Sequence, residues 1–388
     1  MKVLHQLNID TIGGVEYLFR NYLLHNSADL EQHLLVTNKR IHAAFRDAVD
    51  AKVKSTRYLK YWGKVKIPPA VRPFHFRRVL RQVQPDLVLS WNRISRDWTG
   101  GCTALYYDHG GAWNAEVDDE RTAELEKSNK ILSCSNASRR MLELRWGVNQ
   151  AIAVIPNPLR PDLDTADIEA KSPPNGRAIR LGTIGRQVPV KGLSIAIHAL
   201  RRLLDGGLEV ELWFAGEGPC QQALKQLAES QGLVQATRFL GGVSDVKGFF
   251  QSVDAVLCPS LRDPMPLVAI EAMACGCPVI ATQVDGFPEI VRHGETGLCL
   301  EPELSVDEYR ALAASDGQIP QLVYDPLGDQ LREPLSLSPE TLAEGISDLF
   351  AQPQRFGVLS RSGIALTRSE YDFGRYIDRL DAAVEQAV

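Results

Sequence analysis

No apolar run in this 388-residue sequence approaches the roughly 18 residues that a membrane-spanning helix needs, so an integral membrane protein is not expected. The N-terminus, KVLHQL, lacks the charged-then-apolar build of a secretory leader and reads as a first strand, which points to the cytoplasm. Cysteine is scarce, and the seven present, at 102, 134, 220, 258, 275, 277 and 299, are scattered. Only Cys275 and Cys277 are close. One Cys-Gly-Cys without a second pair makes a poor metal site, so buried reduced thiols are expected. The Gly-x4-Gly-Lys-Ser/Thr order of a P-loop is missing, as is any recognisable nucleic-acid-binding motif. Asp162-Leu163-Asp164 imitates an Asp-x-Asp metal motif, yet it follows no buried strand, sits among prolines and reads as a solvated turn.

What is present is ordinary soluble composition, 44% apolar and 23% charged, in a chain long enough for two cores. The most informative stretch is 254–289. Its apolar run 255–258 ends at Pro259-Ser260, a loop carries Arg262 and Asp263, and Pro266 suits the first position of a helix over about 266–274. Gly276 stops that helix and a second apolar run, 279–281, follows until Gly286-Phe287-Pro288 turns the chain. Strand, crossover helix and strand imply a parallel sheet, whose ligands bind at the carboxyl ends of the strands. Asp263 and Glu271 can both face such a crevice, and the amides of Leu267 and Val268 at the helix start suit an anion. A helix-surface acid is the bland alternative for Glu271.

A second loop of the same kind follows a strand at 179–185. Gly185 frees the strand end, while Arg186 and Lys191 bring two cations to the start of a helix at 193–204, a favourable place for phosphate. Strand 210–215 then leads into Gly216-Glu217-Gly218-Pro219 and a helix at 220–230. The first half alternates strand-like and helix-like stretches in the same way, at 3–7, 15–25, 33–36, 69–83 and 87–90, with further strands at 104–107, 131–134 and 152–155. Gly13-Gly14 lets backbone approach a ligand at a helix start, although a plain tight turn explains it equally. His109 follows a strand, with Gly110 and Gly111 behind it, where such sheets place active-site groups; most histidines in these positions are structural.

The stretch PSLRDPMPLVAIEAMACGCPVIAT closely resembles the donor-site signature of the family 4 retaining glycosyltransferases of GT-B fold. That resemblance implies an α/β protein with two Rossmann-like domains whose parallel sheets face an interdomain cleft. It implies that Glu271 binds the ribose hydroxyls of a nucleotide sugar. It places Asp263 where the family usually has Glu, as the acid touching the donor sugar. Gly185-Arg186 with Lys191-Gly192 resembles the family's diphosphate signature. By the same resemblance Gly13 and Gly14 lie between donor phosphate and acceptor, and His109 touches the sugar near its reacting carbon. The nucleobase rests near Gly242 and Val243, and Gly216, Met265, Leu267 and Val268 complete the donor set.

The implied boundaries are an acceptor-binding domain at 1–158, a linker at 159–178 and a donor-binding domain at 179–370. A departure from the family pattern, about 301–338, has no role that the sequence discloses, and the C-terminal helix at 371–388 is expected to pack back on the first domain. The implied activity is retaining hexosyl transfer from a UDP- or GDP-type sugar to a glycan or lipid-linked acceptor of cell-surface polysaccharide or lipopolysaccharide. The nucleotide sugar is substrate, with no cofactor or metal expected. A nucleotide-sugar epimerase of the same fold and a non-catalytic GT-B scaffold are the rival readings.

One segment lacks a charge sign. Residues 51–85 hold ten Lys or Arg, between Lys52 and Arg81, and no acid, in a chain of net charge −5. Tyr58, Tyr61, Trp62, Phe74 and Phe76 lie among them. Cations mixed with aromatics suit an anionic membrane surface, and peripheral binding at the inner face of the plasma membrane is expected; nucleic acid is not, and a solvated face without a partner is the alternative.

Overall fold

A computed structural model describes residues 1–26, 29–92 and 102–388. The chain forms two compact units, Met1–Arg160 with Phe373–Val388, and Pro161–Asp372. In the first unit the described strands are β1 (Lys2–Leu7), β2 (Glu31–Val36), β3 (Val53–Tyr58), the short pair β4 (Tyr61–Trp62) and β5 (Val65–Lys66), β6 (Leu87–Trp91), β7 (Thr103–Asp108), β8 (Lys130–Ser133) and β9 (Ile152–Val154). Except for the β4–β5 hairpin they join one sheet in the order β3-β2-β1-β6-β7-β8-β9, every pairing parallel. Helices cover both faces of a parallel sheet, which is why β1 is buried through both of its faces from Val3 to Leu7 and reads as a run rather than an alternation.

The second unit adds β10 (Ile179–Ile184), β11 (Val210–Ala215), β12 (Thr237–Gly241), β13 (Ala255–Cys258), β14 (Val279–Thr282) and β15 (Gly297–Leu300). Their order is β12-β11-β10-β13-β14-β15, again parallel throughout. The order reverses between β10 and β13, so the loops after these two strands flank a topological switch point. Helix Leu193–Asp205 seals the sheet with an unbroken apolar face, Ile195, Ala196, Ala199, Leu200 and Leu203 all being buried. A separate hairpin, β16 (Val323–Asp325) and β17 (Gln330–Arg332), stands outside the sheet.

The stretch 161–178 is pinned to the second unit. Lys171 Nζ donates to the carbonyls of Phe250 at 2.6 Å and Val253 at 2.5 Å, and Arg177 grips Asp254 with two hydrogen bonds of 2.8 and 2.6 Å. The last helix, Phe373–Glu385, joins the first unit, where Tyr22 Oη donates to Asp381 at 2.9 Å.

In the basic segment the helix expected over 69–83 is present as a 3-10 turn (Pro69–Val71) leading into helix Arg72–Val83. The first part of the segment forms β3, the edge strand of the main sheet, which the sequence reading did not identify. Likewise Pro266 is the cap of helix Leu267–Ala274 rather than its first residue, and 287–290 is a helical turn.

Candidate active site

The candidate residues of the second unit gather at the carboxyl ends of β10 to β13. After β10 the chain turns at Gly185, whose φ of +138° favours glycine, passes the exposed Arg186, and makes a 3-10 turn, Pro189–Lys191. Gly192, at φ +63°, then starts helix Leu193–Asp205 against the loop after β13; a Cβ there would meet the Pro259 carbonyl at 1.9 Å. The Leu261 amide donates to the Val190 carbonyl at 2.9 Å, so the two loops are stitched together.

Across that seam lies the decisive contact: Lys191 Nζ donates to Asp263 Oδ2 at 2.6 Å, with Asp263 largely buried. The cation lines a pocket with Gly185, Arg186, Cys258, Pro259 and Val268, and the acid of the other loop is bonded to that cation. No side chain caps helix Leu267–Ala274, so its first amides, those of Leu267 and Val268, have no side-chain cap, and Val268 lines the pocket. Glu271 is half-buried one turn further along that helix, and Met265 is buried just before it. Gly216 packs so tightly on Gly185 that a Cβ would meet its carbonyl oxygen at 2.1 Å, and the Gly216 amide donates to the Gly241 carbonyl. Gly242 and Val243, at the end of β12, thereby sit at the same sheet edge.

Gly13, Gly14 and His109 belong to the first unit, at the carboxyl ends of β1 and β7. Gly13 is extended, φ −159°, and caps helix Gly14–His25 without a side-chain bond, so no left-handed turn explains it. His109 is not held by flexible glycines, as its sequence suggests. Asn92 Oδ1 accepts the amides of His109 at 2.9 Å and Gly111 at 2.5 Å. The buried Asp108 carboxylate accepts the amides of Gly110 and Ala112 and the hydroxyls of Tyr106 and Ser138. The imidazole stacks on Trp91, 5.8 Å between centroids at 7°, and neither ring nitrogen has a hydrogen-bond partner among the described residues. Burial lowers its pKa to about 3, with Asn157 opposing, so near neutral pH the ring is uncharged. It can donate or accept a hydrogen bond but cannot supply a cation.

Several positioning residues escaped the sequence reading. Gln187, buried beside Arg186, donates from Nε2 to the Gly216 carbonyl at 2.8 Å, and its amide bonds the Glu217 carbonyl. Asp285 is wholly buried and takes the Asp263 amide on Oδ2 at 3.0 Å. A partial signal existed, since Asp-Gly at 285–286 marks a turn, but the bond to Asp263 is long-range and leaves no local trace.

Two α/β units, each built on a parallel sheet, are the architecture of the GT-B fold. Anabaena HepE, solved in complex with UDP and glucose, superposes with a TM-score of 0.72 over 100% of both chains at 16% identity. More particularly, residues 164–315 match the family described as glycosyl transferases group 1. The lipopolysaccharide core biosynthesis glycosyltransferase LpsD of Rhizobium meliloti is 27% identical over 308 residues, 78% of this chain and 84% of that one. Glycogen synthase of Mycobacterium tuberculosis is 30% identical over 225 residues, 57% of this chain and 52% of that enzyme. The protein is a glycosyltransferase of GT-B fold.

Proposed function

We propose that the protein moves a hexosyl group from a UDP- or GDP-sugar to a glycan or lipid-linked acceptor, with retention of anomeric configuration, as a member of glycosyltransferase family 4. The observation that carries this reading is the Lys191–Asp263 pair at 2.6 Å beside the uncapped start of helix Leu267–Ala274. Breaking the bond to the donor diphosphate builds negative charge on the leaving group. Lys191, Arg186 and the Leu267 and Val268 amides are preorganised to meet that charge, so leaving-group departure needs no divalent metal. Asp263 reaches the sugar, Glu271 the ribose, and Gly216, Gly242 and Val243 the base. Gly13, Gly14 and the neutral His109 serve the sugar and acceptor from the first unit. No cofactor enters this reaction.

A lipopolysaccharide or related cell-surface acceptor is favoured by the likeness to the Rhizobium lipopolysaccharide core biosynthesis glycosyltransferase. The test is a melting-temperature screen against UDP, GDP, ADP and their sugars, followed by acceptor-dependent nucleotide release from the best donor. Conversion of the donor without acceptor would favour an epimerase instead, and tight donor binding without release would favour a scaffold.

The same reading places the first unit at an anionic membrane. Trp62, Val65 and Phe74 are each about two-thirds exposed, at 64%, 70% and 67%, and line one groove with Lys66 and Arg78. The Arg78 guanidinium lies 4.7 Å over the Trp62 ring. Apolar side chains ringed by cations fit the headgroup boundary of a bilayer.

A further inference from the structure

Segment 301–338 folds as two pieces that each end on a loop of the candidate site. The first is helix Val306–Leu312, started by a capping box between Ser305 and Glu308. From its buried face Tyr309 Oη donates to the Pro189 carbonyl at 2.6 Å, at the head of the turn that carries Lys191. Gly317 lies against the same proline, where a Cβ would come within 2.4 Å of Cγ.

The second piece is the β16–β17 hairpin. Its Tyr324 amide donates to Asp285 Oδ1 at 2.8 Å, and the Asp285 amide donates back to the Tyr324 carbonyl at 3.1 Å. The other carboxylate oxygen of Asp285 holds the Asp263 amide at 3.0 Å, and the Gly286 amide donates to the Asp263 carbonyl at 3.1 Å. A left-handed backbone, φ +47°, turns this buried carboxylate between hairpin and loop. Reciprocal bonds between Leu304 and Ser336, 2.9 and 2.8 Å, tie the ends of the segment together. The contacts therefore close a circuit: helix to Pro189, Lys191 to Asp263, Asp263 to Asp285, Asp285 to hairpin.

We propose that segment 301–338 is a brace that fixes the separation of Lys191 and Asp263, with Asp285 and Tyr309 as positioning residues; this rests on the reading of that pair as part of the donor site. Both side chains stand on loops at strand ends, and Asp is one methylene shorter than Glu, so backbone placement decides where its carboxylate lies. A misplacement of about 1 Å can cost on the order of 100-fold in rate.

Asp285→Asn keeps the shape but turns one acceptor into a donor facing a backbone amide, and Tyr309→Phe removes a single hydroxyl. Two measurements on each full-length variant decide the matter. Hydrogen exchange is expected to quicken in both loops, 186–192 and 262–265, while β11 and β14 stay at wild-type rates. Acceptor-dependent nucleotide release is expected to lose about 10-fold or more in kcat for Asp285→Asn and about 2- to 5-fold for Tyr309→Phe, with UMP affinity unchanged. Loops that exchange as in wild type, or an equal loss of UMP affinity and kcat, would overturn the brace. If Asp285→Asn fails to fold, the Tyr309→Phe result decides. Wild-type protein inactive on every donor would remove the proposed reaction, and the exchange measurement would still judge the brace.

Discussion

The Lys191–Asp263 contact unites two side chains that the sequence assigned to separate loops, and their chemistry predicts distinct failures. On the proposed donor-site reading Lys191→Ala removes a cation facing charge that grows as the donor bond breaks, so kcat is expected to fall about 100- to 1,000-fold with the fold intact. Near wild-type turnover in the folded variant would sink the donor-site reading. Asp263→Glu extends the acid by about 1.5 Å. Lys191, on a flexible stem with 31% of its side chain exposed, has room to retreat, so turnover is expected within about 10-fold of wild type, whereas Asp263→Ala loses far more. Two histidines of the first unit add a pH dependence. Burial holds His109 and His5 at pKa values of about 3, below their ordinary 6.5; His5 is packed by Phe19, Tyr22 and Trp91, with His33 adding a small like-charge effect. Between these values the unfolded chain binds more protons than the native one, so stability rises with pH through this window. It falls as pH drops from about 6.5 towards 3, by up to about 1.4 kcal/mol per unit for each ring. Urea titrations at pH 7, 6 and 5 check the slope, and His5→Gln is expected to flatten it.

At the scale of elements, the Gly192 corner governs how the loop after β10 meets the loop after β13. Alanine there must adopt φ +63° and push its Cβ into the Pro259 carbonyl, a strain of about 1 to 3 kcal/mol before the clash is counted. Gly192→Ala is therefore expected to lower the denaturation midpoint and to weaken binding of the donor nucleotide, UDP or GDP, together, whereas Gly207→Ala, also left-handed but facing open space, changes stability alone. Calorimetry and titration on both variants separate the two effects. Elements of this kind were legible because their physics is local. Apolar runs bounded by Gly and Pro gave β11 and β13 to the residue, and the corner at Lys191-Gly192 announced itself by composition. Strand β3 was missed because an edge strand, Val53–Tyr58, carries Lys54, Ser55 and Arg57 and shows no apolar run. The Asn92 and Asp108 clamps on His109, and Asp285 beneath Asp263, were illegible for another reason. Each joins residues far apart in the chain or reads as a common polar residue until its burial is known.

Across the whole molecule charge is unevenly spread, and that asymmetry yields a prediction about membranes. Among the described residues no helix is long and apolar enough to cross a bilayer. Outside residues 51–85 the net charge is −15, while that segment supplies ten cations. Not all of them are available, since Lys54 is paired with Glu31 at 2.6 Å. Those at the groove, Lys66 and Arg78 with the exposed Lys64 close in sequence, are backed by Trp62 and Phe74, which add apolar area to the electrostatic attraction. Each cation near an anionic surface contributes about 1 kcal/mol, and the range of that attraction is about 10 Å at 0.1 M salt. Binding to vesicles containing phosphatidylglycerol is therefore expected at low salt, and is expected to weaken as salt rises while the acidic remainder of the chain limits its strength. Lys64→Glu with Lys66→Glu should abolish most of it. Trp62→Ser with Phe74→Ser keeps every charge and removes the apolar wedge, so it should leave a weaker, wholly salt-sensitive remnant. Sedimentation with anionic and neutral vesicles measures all three proteins. Equal binding to both vesicle types, or none to either, would exclude the membrane role and leave the groove as a solvated face.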